Sequence, residues 1–271
     1  MRYICALTIA GSDCSGGAGI QADIKTMSAL GVYAAAAITS ITVQNTKGVK
    51  AVHGVNSLVV ADQIKAVMDD IKPDAVKIGM VNDCATIHAI ADTLKHYPKC
   101  PIVIDPIMVS TSGFYLMNPD ALELFCDSLL PMSTLLTPNL PEAEILSNMK
   151  INTIDDMDIV AQKIMSLGCN AVLIKGGHID GGEKVDRLYM ANGGVQTFTH
   201  KTIDTRNTHG TGCTLSSAIT SFIARGLNLV DAIAAAKKYL SQALVAGKDI
   251  HIGEGHGPVN HLFNPEKLIT L

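Results

Sequence analysis

Residues 3–30, YICALTIAGSDCSGGAGIQADIKTMSAL, decide the architecture of this chain. The run 4–10 is apolar apart from one threonine and stops at Gly11, which reads as a buried strand. Four glycines follow within nine residues (Gly11, Gly16, Gly17 and Gly19), and a helical pattern then occupies 19–30. Strand, glycine-rich turn and helix in that order form the opening of a parallel β–α unit. The alternation continues outward. Strand-like runs recur at 33–43, 75–79, 101–105, 134–137 and 170–175, with helical patterns near 57–70, 84–96, 119–128, 141–148 and 156–167. Residues 186–200 differ: VDRLYM and VQTFTH flank Asn192-Gly193, which predicts an antiparallel hairpin. Two alanine-rich helices, about 212–225 and 230–246, close the pattern. No repeat or Pro/Ser linker divides it, so a single α/β domain with a mostly parallel sheet is expected.

Composition narrows the function. The chain has 271 residues, 48% hydrophobic and 17% charged, which excludes disorder. A chain of this length buries roughly 75% of its unfolded surface. Twenty-one Lys and Arg against 25 Asp and Glu leave a net charge of −4, with six Tyr and five Phe. A nucleic-acid binder would want a basic stripe and stacking aromatics instead. The seven cysteines form no CxxC pair and no zinc spacing, the pattern of reduced thiols in a cytoplasmic protein. Residues 26–46 carry no charge, long enough to consider a membrane span. Their Gly31, Thr39, Ser40, Thr42, Gln44 and Asn45 fit a helix end followed by a strand better.

In an open parallel sheet, chemistry sits beyond the carboxyl ends of the strands, and the polar residues of this chain gather there. Gly11-Ser12-Asp13 follow the first strand, Gln44 the second and Gly79-Met80 the third. Asp105-Pro106 end the fourth, Thr137-Pro138-Asn139 the fifth and Lys175-Gly176-Gly177-His178 the sixth.

Two glycine-rich loops open helices. In the first, Gly17, Gly19 and Ala22 satisfy a dinucleotide pattern, but no Asp or Glu occurs between Asp23 and Asp62 to hold a ribose hydroxyl. A nicotinamide enzyme is therefore disfavoured. No GxxxxGK[ST] segment supports a Walker-type NTPase either. The second loop, Asn207-Thr208-His209-Gly210-Thr211-Gly212-Cys213, places bare backbone amides at a helix start, an anion hole. Cys213 stands at that start, a position that lowers a thiol's pKa and favours thiolate as base or nucleophile. His209 invites a Cys/His hydrolase reading, which the two intervening glycines disfavour. A non-catalytic ligand-binding module is the other alternative. Gln44 stands at the end of the second strand, where a dinucleotide site would place its acid.

The segments GSDCSGGAGIQADIKT, VQNT, KIGM, DPIM, TPNLPEAE, KGGH and NTHGTGC, in this order, resemble the hydroxymethylpyrimidine/phosphomethylpyrimidine kinases of thiamine biosynthesis. These belong to the ribokinase-like superfamily, and the resemblance runs over 4–247. It implies a three-layer α/β/α sandwich and ATP-dependent phosphorylation of a pyrimidine alcohol, then of its monophosphate. It implies Gly210, Thr211 and Gly212 as the anion hole, with Cys213 as the base. Gln44 would read the ring, its amide accepting from the 4-amino group and donating to the neighbouring ring nitrogen, as Gln does to adenine. Gly11, Asp23, Met80 and Ile107 would line the pocket with it, with Asp23 at the hydroxymethyl end. Lys175, Lys237, Thr211 and Asn139 would serve the nucleotide, and Glu142 with Asp105 would serve Mg²⁺. A small-molecule substrate and a homodimer are also implied. The related pyridoxal kinases are the runner-up, set back because pyridoxal offers Gln44 no amino group.

Overall fold

The computed structural model describes residues 1–109, 115–176 and 183–271. Its first strand, β1 (Cys5–Asp13), leads through the glycine loop to α1 (Gly19–Ala29) and back to β2 (Tyr33–Asn45). β2 turns into β3 (Gly48–Gly54). The chain then runs through α2 (Ser57–Asp70), β4 (Ala75–Ile78), α3 (Cys84–Leu94), β5 (Ile102–Ile104) and α4 (Ala121–Ser128). β6 (Leu135–Leu136), α5 (Leu140–Ser147), α6 (Ile154–Met165) and β7 (Ala171–Ile174) follow. A hairpin of β8 (Glu183–Met190) and β9 (Val195–Lys201) precedes α7 (Thr211–Ala224) and α8 (Leu229–Gly247).

These strands form one sheet in the order β3-β2-β1-β4-β5-β6-β7-β8-β9. From β2 to β7 the pairings are parallel, while β3, β8 and β9 add antiparallel edges. The period-two alternation of each strand divides its side chains between two cores. On one face Leu7, Ile9, Val76, Ile78, Ile104, Val172 and Ile174 pack against Ile64 of α2, Ile87 and Ile90 of α3, Phe125 of α4 and Val160 of α6. On the other, Val103, Leu135 and Leu173 meet Leu215 and Ile219 of α7 and Ile233 and Tyr239 of α8. Two helical layers thus enclose a mostly parallel sheet, as expected. The 186–200 hairpin does lie at a sheet edge.

One strand escaped the sequence pattern. β3 is half-exposed and interrupted by Lys50 and His53, so no apolar run marks it. β6, expected over 134–137, forms at Leu135–Leu136. The charge-free stretch 26–46 holds the end of α1 and all of β2. Among the described residues no helix is long and apolar enough to cross a membrane.

β1 is the switch point, since its neighbours β2 and β4 lead the chain to opposite sides. A crevice opens beyond the carboxyl ends of strands at such a point. The next element to matter is α5, whose start is fixed locally. Asn139 Oδ1 accepts the Glu142 N–H at 2.9 Å, and the Glu142 carboxylate accepts the Asn139 N–H at 2.9 Å. That reciprocal capping box, with Pro141 in the first turn, sets both side chains at the crevice edge.

Candidate active site

A cavity of about 820 Å³ occupies the crevice. It is lined by Gly11, Gln44, Met80 and Ile107 on one side and by Asn139, Glu142 and Lys175 on another. Asp105, Lys237 and residues 210–213 complete that part of the wall. The size suits a nucleotide-sized ligand with a small ring beside it. Thirteen of the fourteen sequence-predicted residues therefore share one cavity. Gly177 and His178 of the KGGH segment lie outside the described residues.

The start of α7 borders the cavity. Gly210 caps the helix at φ 78°, in the left-handed region, and a Cβ there would overlap the Gly17 carbonyl oxygen. Only glycine fits both constraints. The Thr211 N–H bonds Thr208 O at 3.3 Å and the Thr214 N–H bonds Gly210 O at 2.8 Å. Among the described residues the amides of Gly212 and Cys213, between them, have no acceptor. Unpaired amides at a helix start attract anions.

Beside them stands an ion pair. Lys175 Nζ donates to Asp105 Oδ1 at 2.9 Å, and Asp105 also accepts from Thr137 Oγ1 at 3.1 Å. A Cβ on Gly212 would lie 3.4 Å from Asp105 Oδ2 and 3.6 Å from Lys175 Nζ, so the pair borders the bare amides. Burial opposes the Asp105 charge, but Lys175 and Lys77 outweigh it and hold the carboxyl below its usual range. Burial also opposes the Lys175 charge, which Asp105 and Glu142 sustain. Glu142 is pushed up to about 7, first by burial and then by Asp105, with Lys175 acting the other way. Two carboxyl groups sharing a desolvated space resist joint ionisation, and a cation between them would relieve it. No group of three or more His, Cys, Asp or Glu forms a metal cage among the described residues. Two hard carboxylates with room for water and phosphate suit Mg²⁺, which prefers such open sites.

Cys213 departs from expectation. Burial pushes its thiol up to about 12, Lys77 lowers it, and Asp23 and Asp105 raise it further. The helix start does not compensate for removal from water, so the thiol is protonated in the substrate-free protein. Asp23 departs too. It does not line the cavity but lies fully buried, where its carboxylate takes Lys77 Nζ at 2.8 and 3.0 Å. Thr8 Oγ1 and Ser217 Oγ complete its shell at 2.6 Å each. Those bonds turn it away from a hydroxymethyl group and into the support under α7.

Gln44 stands near the end of β2, and among the described residues its side chain has no hydrogen-bond partner. Its carbonyl accepts from Cys14 Sγ at 3.1 Å, which holds the hairpin to the first glycine loop. Gly11 packs closely at the cavity wall, since a Cβ there would meet Ser40 Oγ at 2.8 Å and Met80 Sδ at 3.3 Å. Lys237 is paired with Asp186, whose other carboxylate oxygen accepts the Gly176 N–H at 2.9 Å. Asp186 of β8 and His200 of β9 line the cavity but carried no sequence signal, because they sit on an antiparallel hairpin and not at the carboxyl end of a parallel strand. His209, weighed above as a partner for Cys213, instead places Nε2 2.8 Å from Asp13 Oδ2.

The family model described as phosphomethylpyrimidine kinase matches residues 13–260. A hydroxymethylpyrimidine/phosphomethylpyrimidine kinase from Rhizobium meliloti (strain 1021) is 49% identical over 94% of this chain and 96% of its own length. The 2.06 Å crystal structure of phosphomethylpyrimidine kinase from Clostridium difficile 630 superposes with a TM-score of 0.79 at 48% identity. That alignment covers 89% of this chain and 99% of the other. The pyridoxal kinase from Staphylococcus aureus, in complex with AMP-PCP and pyridoxal, has a TM-score of 0.86 at 32% identity, covering 97% of this chain and 94% of its own. This chain, an α/β sandwich whose α7 starts on the cavity that Gln44 also lines and which these relatives match along nearly its whole length, belongs to the phosphomethylpyrimidine kinase family.

Proposed function

We propose that this chain transfers the terminal phosphoryl group of ATP to 4-amino-5-hydroxymethyl-2-methylpyrimidine and then to the resulting monophosphate, in thiamine biosynthesis. The observation that carries the proposal is the pair of bare amides of Gly212 and Cys213 beside Lys175, facing the same cavity as Gln44. Phosphoryl transfer needs positioning and neutralisation of charge more than covalent work. The two amides receive the oxygens of the moving phosphoryl group, and Lys175 and Lys237 neutralise the nucleotide phosphates, with Thr211 and Asn139 bordering them. Asp105 and Glu142 would hold Mg²⁺, which supplies charge compensation to the phosphates when bound. Gln44 reads the 4-amino group and adjacent ring nitrogen, while Met80 and Ile107 cover the ring faces beside Gly11.

In the first transfer the acceptor hydroxyl oxygen bonds to the γ-phosphorus, the bond to the β,γ-bridging oxygen breaks, and the hydroxyl proton passes to Cys213 Sγ. That role needs the thiolate, which the substrate-free protein disfavours; Lys77 and Lys175 are the cations that bring it within reach. The second acceptor differs. A phosphate monoester is already an anion at neutral pH, so its oxygen attacks without surrendering a proton. A neutral thiol suits that step.

The proposal extends to a cytoplasmic homodimer of single kinase domains. Exposed Ile41 and Val43 on β2 are apolar surface that a second copy could cover. The test is a panel assay. Purified protein receives ATP and Mg²⁺ with the hydroxymethylpyrimidine, its monophosphate, pyridoxal or ribose, and ADP release is compared. Turnover of both pyrimidines well above the other two is expected; preference for pyridoxal would replace the proposal with its runner-up.

A further inference from the structure

The Asp13–His209 contact joins two loops 196 positions apart, and the reaction outlined above gives neither side chain a part. Asp13 is 1% exposed. Its carboxylate accepts the N–H of Ser15 at 2.7 Å, Gly17 at 3.0 Å and Ala18 at 2.8 Å, and the Ser15 hydroxyl at 2.7 Å. Burial works against its charge, but His209 and these bonds hold the carboxyl far below its usual range. A carboxylate only accepts, so His209 donates through Nε2. The imidazole packs directly against Gly17. A Cβ on Gly17 would overlap its Cδ2, and the same Cβ would sit 3.1 Å from Pro258 Cβ. On the backbone side, the His209 N–H bonds Gly257 O at 3.1 Å. Two residues earlier, Asn207 Nδ2 donates to Gly247 O and Ile250 O at 2.7 Å each. His209 thus meets two distant segments, 13–17 and 257–258, and the next residue, Gly210, begins the anion hole and itself touches Gly17.

We propose that Asp13 and His209 are a positioning pair, which seats the anion hole of residues 210–213 against the first glycine loop so that its amides meet the phosphoryl group in flight. The pair touches no reacting atom. Misplacing reactive groups by about 1 Å costs on the order of 10²-fold in rate, so its removal should act on the transition state and spare substrate binding. The proposal rests on the phosphoryl-transfer function given above.

Two measurements test it in the full-length protein. His209→Ala should lower kcat about 10- to 100-fold for both acceptors while KM for the pyrimidine stays within about twofold. It should weaken binding of ADP with aluminium fluoride, a mimic of the moving phosphoryl, by a similar factor, with ADP affinity unchanged. His209→Gln, which keeps a side-chain N–H donor, should recover most of the loss. Asp13→Asn combined with His209→Ala should be no worse than the poorer single variant, because residues acting as one unit are not additive. If His209→Ala does not fold, His209→Gln and Asp13→Asn carry the same comparison. Unchanged kcat, equal losses for ADP and its fluoride complex, or losses that simply add would each overturn the pairing. The fluoride measurement uses no acceptor, so it stands or falls separately from the pyrimidine assignment, which the wild-type panel assay decides.

Discussion

The two glycine-rich loops, residues 11–19 and 207–213, look alike in the sequence and lead into α1 and α7, yet they spend their backbone amides differently. In the first loop the Asp13 carboxylate takes the N–H groups of Ser15, Gly17 and Ala18, so its anion-binding capacity is satisfied from within. In the second, no side chain caps α7, and the amides of Gly212 and Cys213 remain for a ligand. One internal carboxylate turns a loop into scaffold; its absence makes a site. Glycine content alone does not separate the two outcomes, whereas the destination of each amide does.

The sharpest break of this contrast is Cys213→Ala. It should lower the first phosphorylation by about 10²–10⁴ and the second less than tenfold, with substrate KM values retained. Equal losses in both steps would remove Cys213 from proton transfer. Next comes Gly212→Ala, which has ordinary contact distances to Asp105 and Lys175 and no positive φ. The fold should stand, but a methyl group would crowd the anion site and cost about 10² in kcat; wild-type kcat would move the site elsewhere. Gln44→Ala, on the acceptor side, should weaken pyrimidine binding by about 1–3 kcal/mol, leaving ATP binding unaltered. A titration with matched losses for both ligands would contradict the ring contact.

Smaller effects follow from ionisation. A thiol held at about 12 gains thiolate roughly tenfold per pH unit below that value. The kcat of the first step should therefore rise between pH 7 and 9 while the second stays nearly flat, and a flat first step would contradict a thiolate base. Glu142 titrates in the other sense. Its pKa is raised in the folded protein, so the fold favours the protonated form and loses stability as pH rises from about 4.5 to about 7. Glu142→Gln should flatten that slope in thermal melts of the metal-free protein and raise the Mg²⁺ needed for activity several-fold. Melts with wild-type slope and unaltered metal demand would place Glu142 outside the cluster.

Much of this was legible because period-two strands and strand-end motifs are local signals. The runs holding Leu7, Ile78, Ile104 and Ile174 announced the sheet, and the residues following them announced the cavity. What failed were properties set by depth and by distant partners. Asp23 lies within a recognisable motif, but a motif says nothing of which way a helix turns its carboxylate, and Lys77 enters from 54 positions away. A helix start promised Cys213 a lowered pKa, while the surrounding desolvation reversed the sign. His209 was judged by its neighbour four residues on, when its partner lay on β1. β3 escaped because an edge strand exposed on one side carries no continuous apolar run.

The Lys77–Asp23 pair under α7, each side chain fully buried, also bears on how this protein changes over generations. Losing either member strands an uncompensated charge in the interior, a penalty of about 3–5 kcal/mol, whereas exchanging both for well-packed apolar residues is often neutral. The two positions are therefore closed to stepwise drift, and a lineage crosses that valley only by double substitution or with stability in reserve.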